Sequence, residues 1–124
     1  MYNRGIRGAT TVTRNEEQEM LTATADMLKE IVERNQIVPE DISSVWITVT
    51  PDLDATFPAR AIRDLQGWDM VPLMCSTEIP VKGALPMCIR LLIHVNTTKG
   101  QRDMKHVYLN EARILRPDLG VSSS

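Results

Sequence analysis

Aromatic residues are scarce in this sequence, at 4 % of 124 residues, so the core has to be aliphatic, with seven Met beside Val, Ile and Leu. Cysteine is nearly absent. Cys75 and Cys88 stand alone, which indicates neither a disulfide framework nor a zinc site and fits a reducing, cytoplasmic setting. Neither sign of charge dominates, because 14 Lys and Arg face 16 Asp and Glu for a net −2. The chain therefore exerts no general electrostatic pull on nucleic acid or on an anionic membrane. The most apolar stretch, Met87 to Val95, is broken by Arg90 and His94 and is far shorter than the roughly 20 residues of a membrane-spanning helix. The N-terminal MYNRGIRGAT has no apolar run of the kind a secretion signal carries. A Gly-rich phosphate cradle, a G-x-S-x-G elbow and a nucleotide fingerprint are all missing. The usual covalent and cofactor chemistries have no support.

Apolar residues at 43 % and charged residues at 24 % are ordinary globular proportions, and the length suits one compact domain. We assign it to residues 1–119, with residues 120–124 and their closing serines as a flexible tail. Ile6 to Val12, short and rich in Thr, predicts a strand. Asn15 with Gln18, or Thr13 with Glu16, marks the start of a helix running to about Arg34. Met20, Leu21, Met27, Leu28, Ile31 and Val32 form its apolar stripe, opposite Asp26, Lys29 and Glu33. After a turn at Pro39-Glu40-Asp41, the nearly continuous apolar run Val45 to Thr50 suits a strand buried on both faces. Pro58 opens a short helix to about Leu65, closed by Gly67. Strands follow at Val71 to Cys75 and Met87 to Val95, and periodicity leaves His106 to Leu115 as either strand or helix. The order predicts an α+β fold, a mixed sheet with helices on one face. A chain this small has little left to cover the other face, which points to an oligomer.

Arg90 is the most informative position. On its strand Met87, Ile89, Leu91, Ile93 and Val95 form one apolar face, so the guanidinium leaves the opposite face. A buried cation without a partner costs several kcal/mol, so Arg90 meets an anion. That anion is either Glu78 or Asp64 in an ion pair, or a ligand. Arg7 stands among Gly5, Ala9 and Thr11, which leaves open space beside it or allows close packing against a second subunit. Two arginine forks grip carboxylates in two-point fashion, so together they point to a substrate carrying carboxylates. Glu78, Cys75 and Tyr108 carry weak signals alone. Asp52 and Asp54 spell D-x-D but are too few for a cation cage, and His94 and His106 lack metal-ligand spacing.

In combination, several runs resemble the monofunctional, AroH-class chorismate mutases of the Bacillus type. They are Arg4-Gly5-Ile6-Arg7-Gly8-Ala9-Thr10-Thr11-Val12, Thr50-Pro51-Asp52-Leu53, Phe57-Pro58-Ala59, Gly67-Trp68 and Val71-Pro72. Cys75 with Glu78, Cys88-Ile89-Arg90, His106-Val107-Tyr108-Leu109 and Leu115-Arg116-Pro117-Asp118-Leu119 complete the set. The resemblance spans about residues 3 to 119. It implies a homotrimer forming a pseudo-α/β barrel with active sites at subunit clefts. It also implies a cytoplasmic enzyme of the shikimate route to phenylalanine and tyrosine that converts chorismate to prephenate without metal or cofactor. Carried over by position, Arg90 touches the ether oxygen and a carboxylate, Arg7 holds a carboxylate and Tyr108 hydrogen-bonds nearby. Glu78 and the Cys75 region bind the ring hydroxyl, with Met74, Ser76 and Thr77 in the wrapping loop. Phe57, Leu73 and Leu115 give apolar walls, and Arg63, with Arg60 and Arg116, draws the dianion inward. Two departures stand out: Met74 where the family often has a hydroxyl residue, and Arg60 where it often has lysine. The competing readings are an imine/enamine deaminase of the same trimeric fold and a non-catalytic trimer that binds a carboxylate metabolite.

Overall fold

The computed structural model describes residues 1–115; Arg116 and the expected tail at 120–124 lie outside them. Five strands, β1 (Tyr2–Thr11), β2 (Ile42–Val49), β3 (Leu73–Thr77), β4 (Cys88–Thr97) and β5 (Val107–Tyr108), form one sheet in the order β3-β2-β4-β1-β5. The central β4 runs antiparallel to β1 and β2, while the outer β3 and β5 run parallel to their inner neighbours. Two helices, α1 (Glu17–Asn35) and α2 (Ala59–Arg63), complete the α+β fold. The stripe predicted for α1 is its buried face, with Met20, Met27, Leu28 and Ile31 fully enclosed against Ile6, Ile47, Ile89 and Ile93 of the sheet. Leu21 and Val32 flank it half-buried.

Gly8 sets how closely α1 approaches the sheet, since a Cβ there would stand 2.6 Å from Ile31 Cδ1 and 3.2 Å from Met27 Sδ. Both neighbours are fully buried. Gly8→Ala overpacks this contact and lowers stability by about 1–3 kcal/mol, read from the urea midpoint.

The start of α1 corrects the sequence reading. Glu16 is the cap: its Oε2 accepts from the Gln18 N–H at 2.8 Å and its Oε1 from the Glu19 N–H at 3.0 Å. Asn15 instead accepts from the backbone of Asp54 and Ala55, both at 3.0 Å, and ties the helix start to the loop after β2. Thr13 donates to Glu19 Oε2 from its backbone N–H at 2.5 Å and from its hydroxyl at 2.8 Å. These bonds, the backbone one foremost, hold the Glu19 carboxyl below its ordinary pKa of 4.5, helped by Arg14. A carboxyl with a depressed folded pKa stabilises the protein above its unfolded pKa and loses that effect as pH falls through the folded value. The stability difference between the native chain and Glu19→Gln is therefore present at neutral pH and shrinks on acidification below 4.5, which urea unfolding across a pH series measures.

Other boundaries shift for local reasons. β1 begins at Tyr2 rather than Ile6 because it pairs with β4 out to Thr97. β3 begins at Leu73 rather than Val71, since the Val71 N–H closes a turn onto Trp68 O at 3.1 Å. Pro39–Asp41 forms a short 3-10 turn, and α2 ends at Arg63, with Gly67 closing the following turn at φ 88° as expected. His106 to Leu115 proves to be both alternatives, β5 and then a 3-10 turn at Asn110–Ile114, with Asn110 at φ 55° where the direction changes.

The larger correction concerns β2, which is not buried on both faces. Val45 and Ile47 point into the core, whereas Trp46 is 47 % exposed. The helices cover one face of the sheet, and on the other Met74 is 60 % and Leu92 39 % exposed. Among the described residues no helix is long and apolar enough to cross a membrane.

Candidate active site

Strand pairing builds the site from single residues into a row. Arg90 on β4 faces Ala9 on one side and Thr48 on the other; Ala9 pairs with Tyr108, and Thr48 with Ser76. Cross-strand partners share a face, so Tyr108, Ala9, Arg90, Thr48 and Ser76 cross all five strands on the face without helices. Two residues along, Arg7, Leu92, Trp46 and Met74 make a second row on that face.

Apart from Met74, these rows line a cleft of about 460 Å³ formed by Arg7, Tyr108, Arg90, Glu78, Thr48 and Trp46, with Gly8, Ala9, Ser76, Leu91 and Leu92. Arg90 Nε lies 3.7 Å from Glu78 Oε2, beyond hydrogen-bond length, and this buried donor has no hydrogen-bond partner. Glu78 is placed by its own backbone, whose N–H donates to Val49 O at 2.8 Å. Its carboxylate accepts from the Thr48 hydroxyl. Trp46 Nε1 donates to Ser76 Oγ at 2.8 Å. His106 Nδ1 accepts from the Arg7 backbone N–H at 2.9 Å and so fixes β1 at the position that carries the second arginine. His94 Nδ1 meets Ser44 Oγ at 3.1 Å.

The strand carrying Arg90 is fastened just upstream. Asp52 Oδ2 accepts from the Met87 N–H at 3.0 Å, and Thr50 Oγ1 accepts from the Cys88 N–H at 3.0 Å. Met87 takes φ 55° there. The D-x-D pair is thus structural, with Asp54 accepting from Asn15 Nδ2 at 2.7 Å. Burial pushes the Cys88 thiol above its ordinary pKa, partly offset by Arg90, so it is no nucleophile at neutral pH.

Arg7, Ser76, Glu78, Arg90 and Tyr108 therefore come together, and the other sequence candidates do not. Phe57, Cys75 and Thr77 line a separate groove of about 490 Å³ with Arg60, which shares only Ser76 with the cleft. Leu73 and Cys75 pack against the main core because alternate residues of β3 face the helices. Arg63 is exposed on α2, and Met74 is exposed on the cleft face without lining the cleft. Leu115 packs against Ala9, Cys88, Tyr108 and Ala112, a small apolar cluster that backs the Tyr108 end. Thr48, Trp46 and Leu92 were missed, although the parity of their strands puts them beside Arg90.

A larger cavity, of about 870 Å³, lies over the first half of α1. Its lining sets Glu16, Glu19, Asp26 and Glu111 against Arg14 and Arg113, and Arg14 already pairs with Glu19 at 3.5 Å. That balance repels a dicarboxylate, whereas the sheet cleft sets two arginines against one carboxylate.

The family model described as "Chorismate mutase type I" matches residues 3–119. The chain is 46 % identical over 124 residues to chorismate mutase AroH of Bacillus subtilis, covering all of this chain and 98 % of that protein. It is 45 % identical over 117 residues to chorismate mutase AroH of Thermus thermophilus, covering 94 % and 95 % of the two. The solved chorismate mutase from Clostridium thermocellum superposes with a TM-score of 0.86 at 51 % identity, over 89 % of this chain and 97 % of that one. The family match over residues 3–119, the identity along the whole chain and the superposition agree, and the chain belongs to the type I chorismate mutase family.

Proposed function

We propose that this chorismate mutase rearranges chorismate to prephenate in the sheet cleft, by holding the dicarboxylate in its compact, chair-like form with Arg90 at the ether oxygen. The reaction is a one-step pericyclic shift in which the ether bond breaks ahead of carbon–carbon bond formation, so negative charge grows on that oxygen. No proton needs to be transferred. The rate then depends on restraint of a flexible substrate and on a cation fixed where charge develops. The supporting observation is the Arg90 Nε–H, without a hydrogen-bond partner and 3.7 Å from Glu78 Oε2, on the central strand beside the cleft. Its contact strengthens as the oxygen gains charge, and only such contacts raise kcat. Arg7 holds a carboxylate, Tyr108 donates beside it, and Glu78 accepts from the ring hydroxyl.

The active assembly is a homotrimer in the cytoplasm, with each site closed by the groove of a neighbouring subunit. This reading accounts for the uncovered sheet face and for the separation of Phe57, Cys75, Thr77 and Arg60 from the arginine cleft. In it Phe57 walls the substrate, Cys75 and Thr77 wrap it through their backbone, Leu73 and Leu115 back these walls, and Arg63 guides the dianion.

Subunit mixing tests the reading. Arg90→Ala spoils the cleft, and Phe57→Asp puts a negative charge into the groove; each variant alone is inactive towards chorismate. Unfolded together in equal amounts and refolded, they regain about a quarter of native activity, because random assembly pairs one intact cleft with one intact groove at that frequency. Activity that stays at the level of the separate variants contradicts a shared site.

A further inference from the structure

We propose that Thr48 is a positioning residue, whose hydroxyl keeps the Glu78 carboxylate beyond hydrogen-bond length of Arg90 and so leaves the Arg90 Nε–H without a protein acceptor. The proposal rests on the site reading above and names the part of the fold that keeps the arginine and the acid apart.

Thr48 and Arg90 sit directly opposite each other on β2 and β4. The Thr48 hydroxyl donates to Glu78 Oε2, the same oxygen that lies 3.7 Å from Arg90 Nε. The Glu78 backbone is tied to Val49 O, next to Thr48, so the carboxylate is free to move only about its side-chain bonds. It has two donors in reach, one neutral and one charged. A charge-assisted bond is roughly twice as strong as a neutral one, so the carboxylate would close on Arg90 unless another group directed it. The Arg90 Nε, without a hydrogen-bond partner and still 3.7 Å from Glu78 Oε2, is the signature that the ion pair has not closed to hydrogen-bond length. A closed pair would use up the N–H that faces the reacting oxygen and would offset the positive charge needed there. Substrate would then have to break an ion pair before reaching its transition state. Thr48 lines the floor of the cleft, and its effect passes through Glu78 because its hydroxyl is donated to that carboxylate.

The test is Thr48→Val, which keeps shape and removes the hydroxyl, compared with Thr48→Ser and with Thr48→Val in a Glu78→Ala background. Thermal melting confirms that each variant is folded. The expected result for Thr48→Val is a fall in kcat of roughly tenfold or more with KM nearly unchanged. Thr48→Ser recovers most of the loss, and Thr48→Val adds nothing once Glu78 is alanine. If Glu78→Ala is impaired while Thr48→Val keeps native kcat, the positioning role is overturned and the site reading stands. The same fold loss in both backgrounds also overturns it, since Thr48 would then act independently of Glu78. Native turnover in Arg90→Ala overturns the site reading and this proposal together.

Discussion

Replacing Arg90 with alanine lowers kcat/KM by about a thousandfold or more, equivalent to roughly 4 kcal/mol of transition-state stabilisation. The size follows from position. One neutral oxyanion donor contributes about 3 kcal/mol in a preorganised site, and Arg90 adds a full charge to that donor. Its Nε has no hydrogen-bond partner, so no hydrogen bond has to be broken before it binds a substrate oxygen. Arg90→Lys remains severely impaired, because a point charge on a flexible stem replaces a planar fork set across Ala9 and Thr48. Chorismate loss, followed continuously, measures both. Turnover near the native value in either variant would mean that the cation is not where the chemistry happens.

Arg7→Ala gives the second large effect, and it falls on a different constant. Arg7 is exposed on the outer row of the cleft, and its backbone is held by His106. In the proposed pose its guanidinium grips a carboxylate that carries the same charge in the bound substrate and in the transition state. A contact equal in both states lowers KM without raising kcat. Loss of one charge-assisted contact of about 1.5–3 kcal/mol raises KM by roughly 10- to 150-fold and leaves kcat within a few-fold. Initial rates across a wide chorismate range separate the two constants. A loss confined to kcat would reassign Arg7 to the reacting centre.

The legible parts of this fold were those governed by a single element. Period-two alternation in Met87 to Val95 put Arg90 off the apolar face, and the stripe on α1 named the side that packs on the sheet. The family motifs, quoted residue by residue, named the activity that the comparisons then bore out. They also set aside a deaminase or a non-catalytic binder of the same fold. What stayed hidden depends on two elements meeting. Thr48 and Trp46 gain meaning only when β2 is laid against β4 in register, and one strand does not state its partner's register. The apolar run Val45 to Thr50 read as buried on both sides because a large apolar residue, Trp46, stands on the uncovered face. Glu16 was passed over as a helix cap because Asn15 and Thr13, stronger capping types, lie next to it and are used elsewhere. Phe57 and Cys75 belonged to the motif set, yet their loops open a groove separate from the arginines, which a motif without geometry does not reveal.

The central claim is that a fixed positive charge, and not merely a donor of hydrogen bonds, stands at the ether oxygen. The most direct test is the kcat of Arg90→Gln at saturating chorismate, since glutamine keeps a planar N–H donor and removes the charge. The expected result is a fall of roughly a thousandfold in kcat with KM moved by less than tenfold. A kcat within tenfold of the native value, with the whole loss in KM, would contradict it and leave Arg90 as a binding group only.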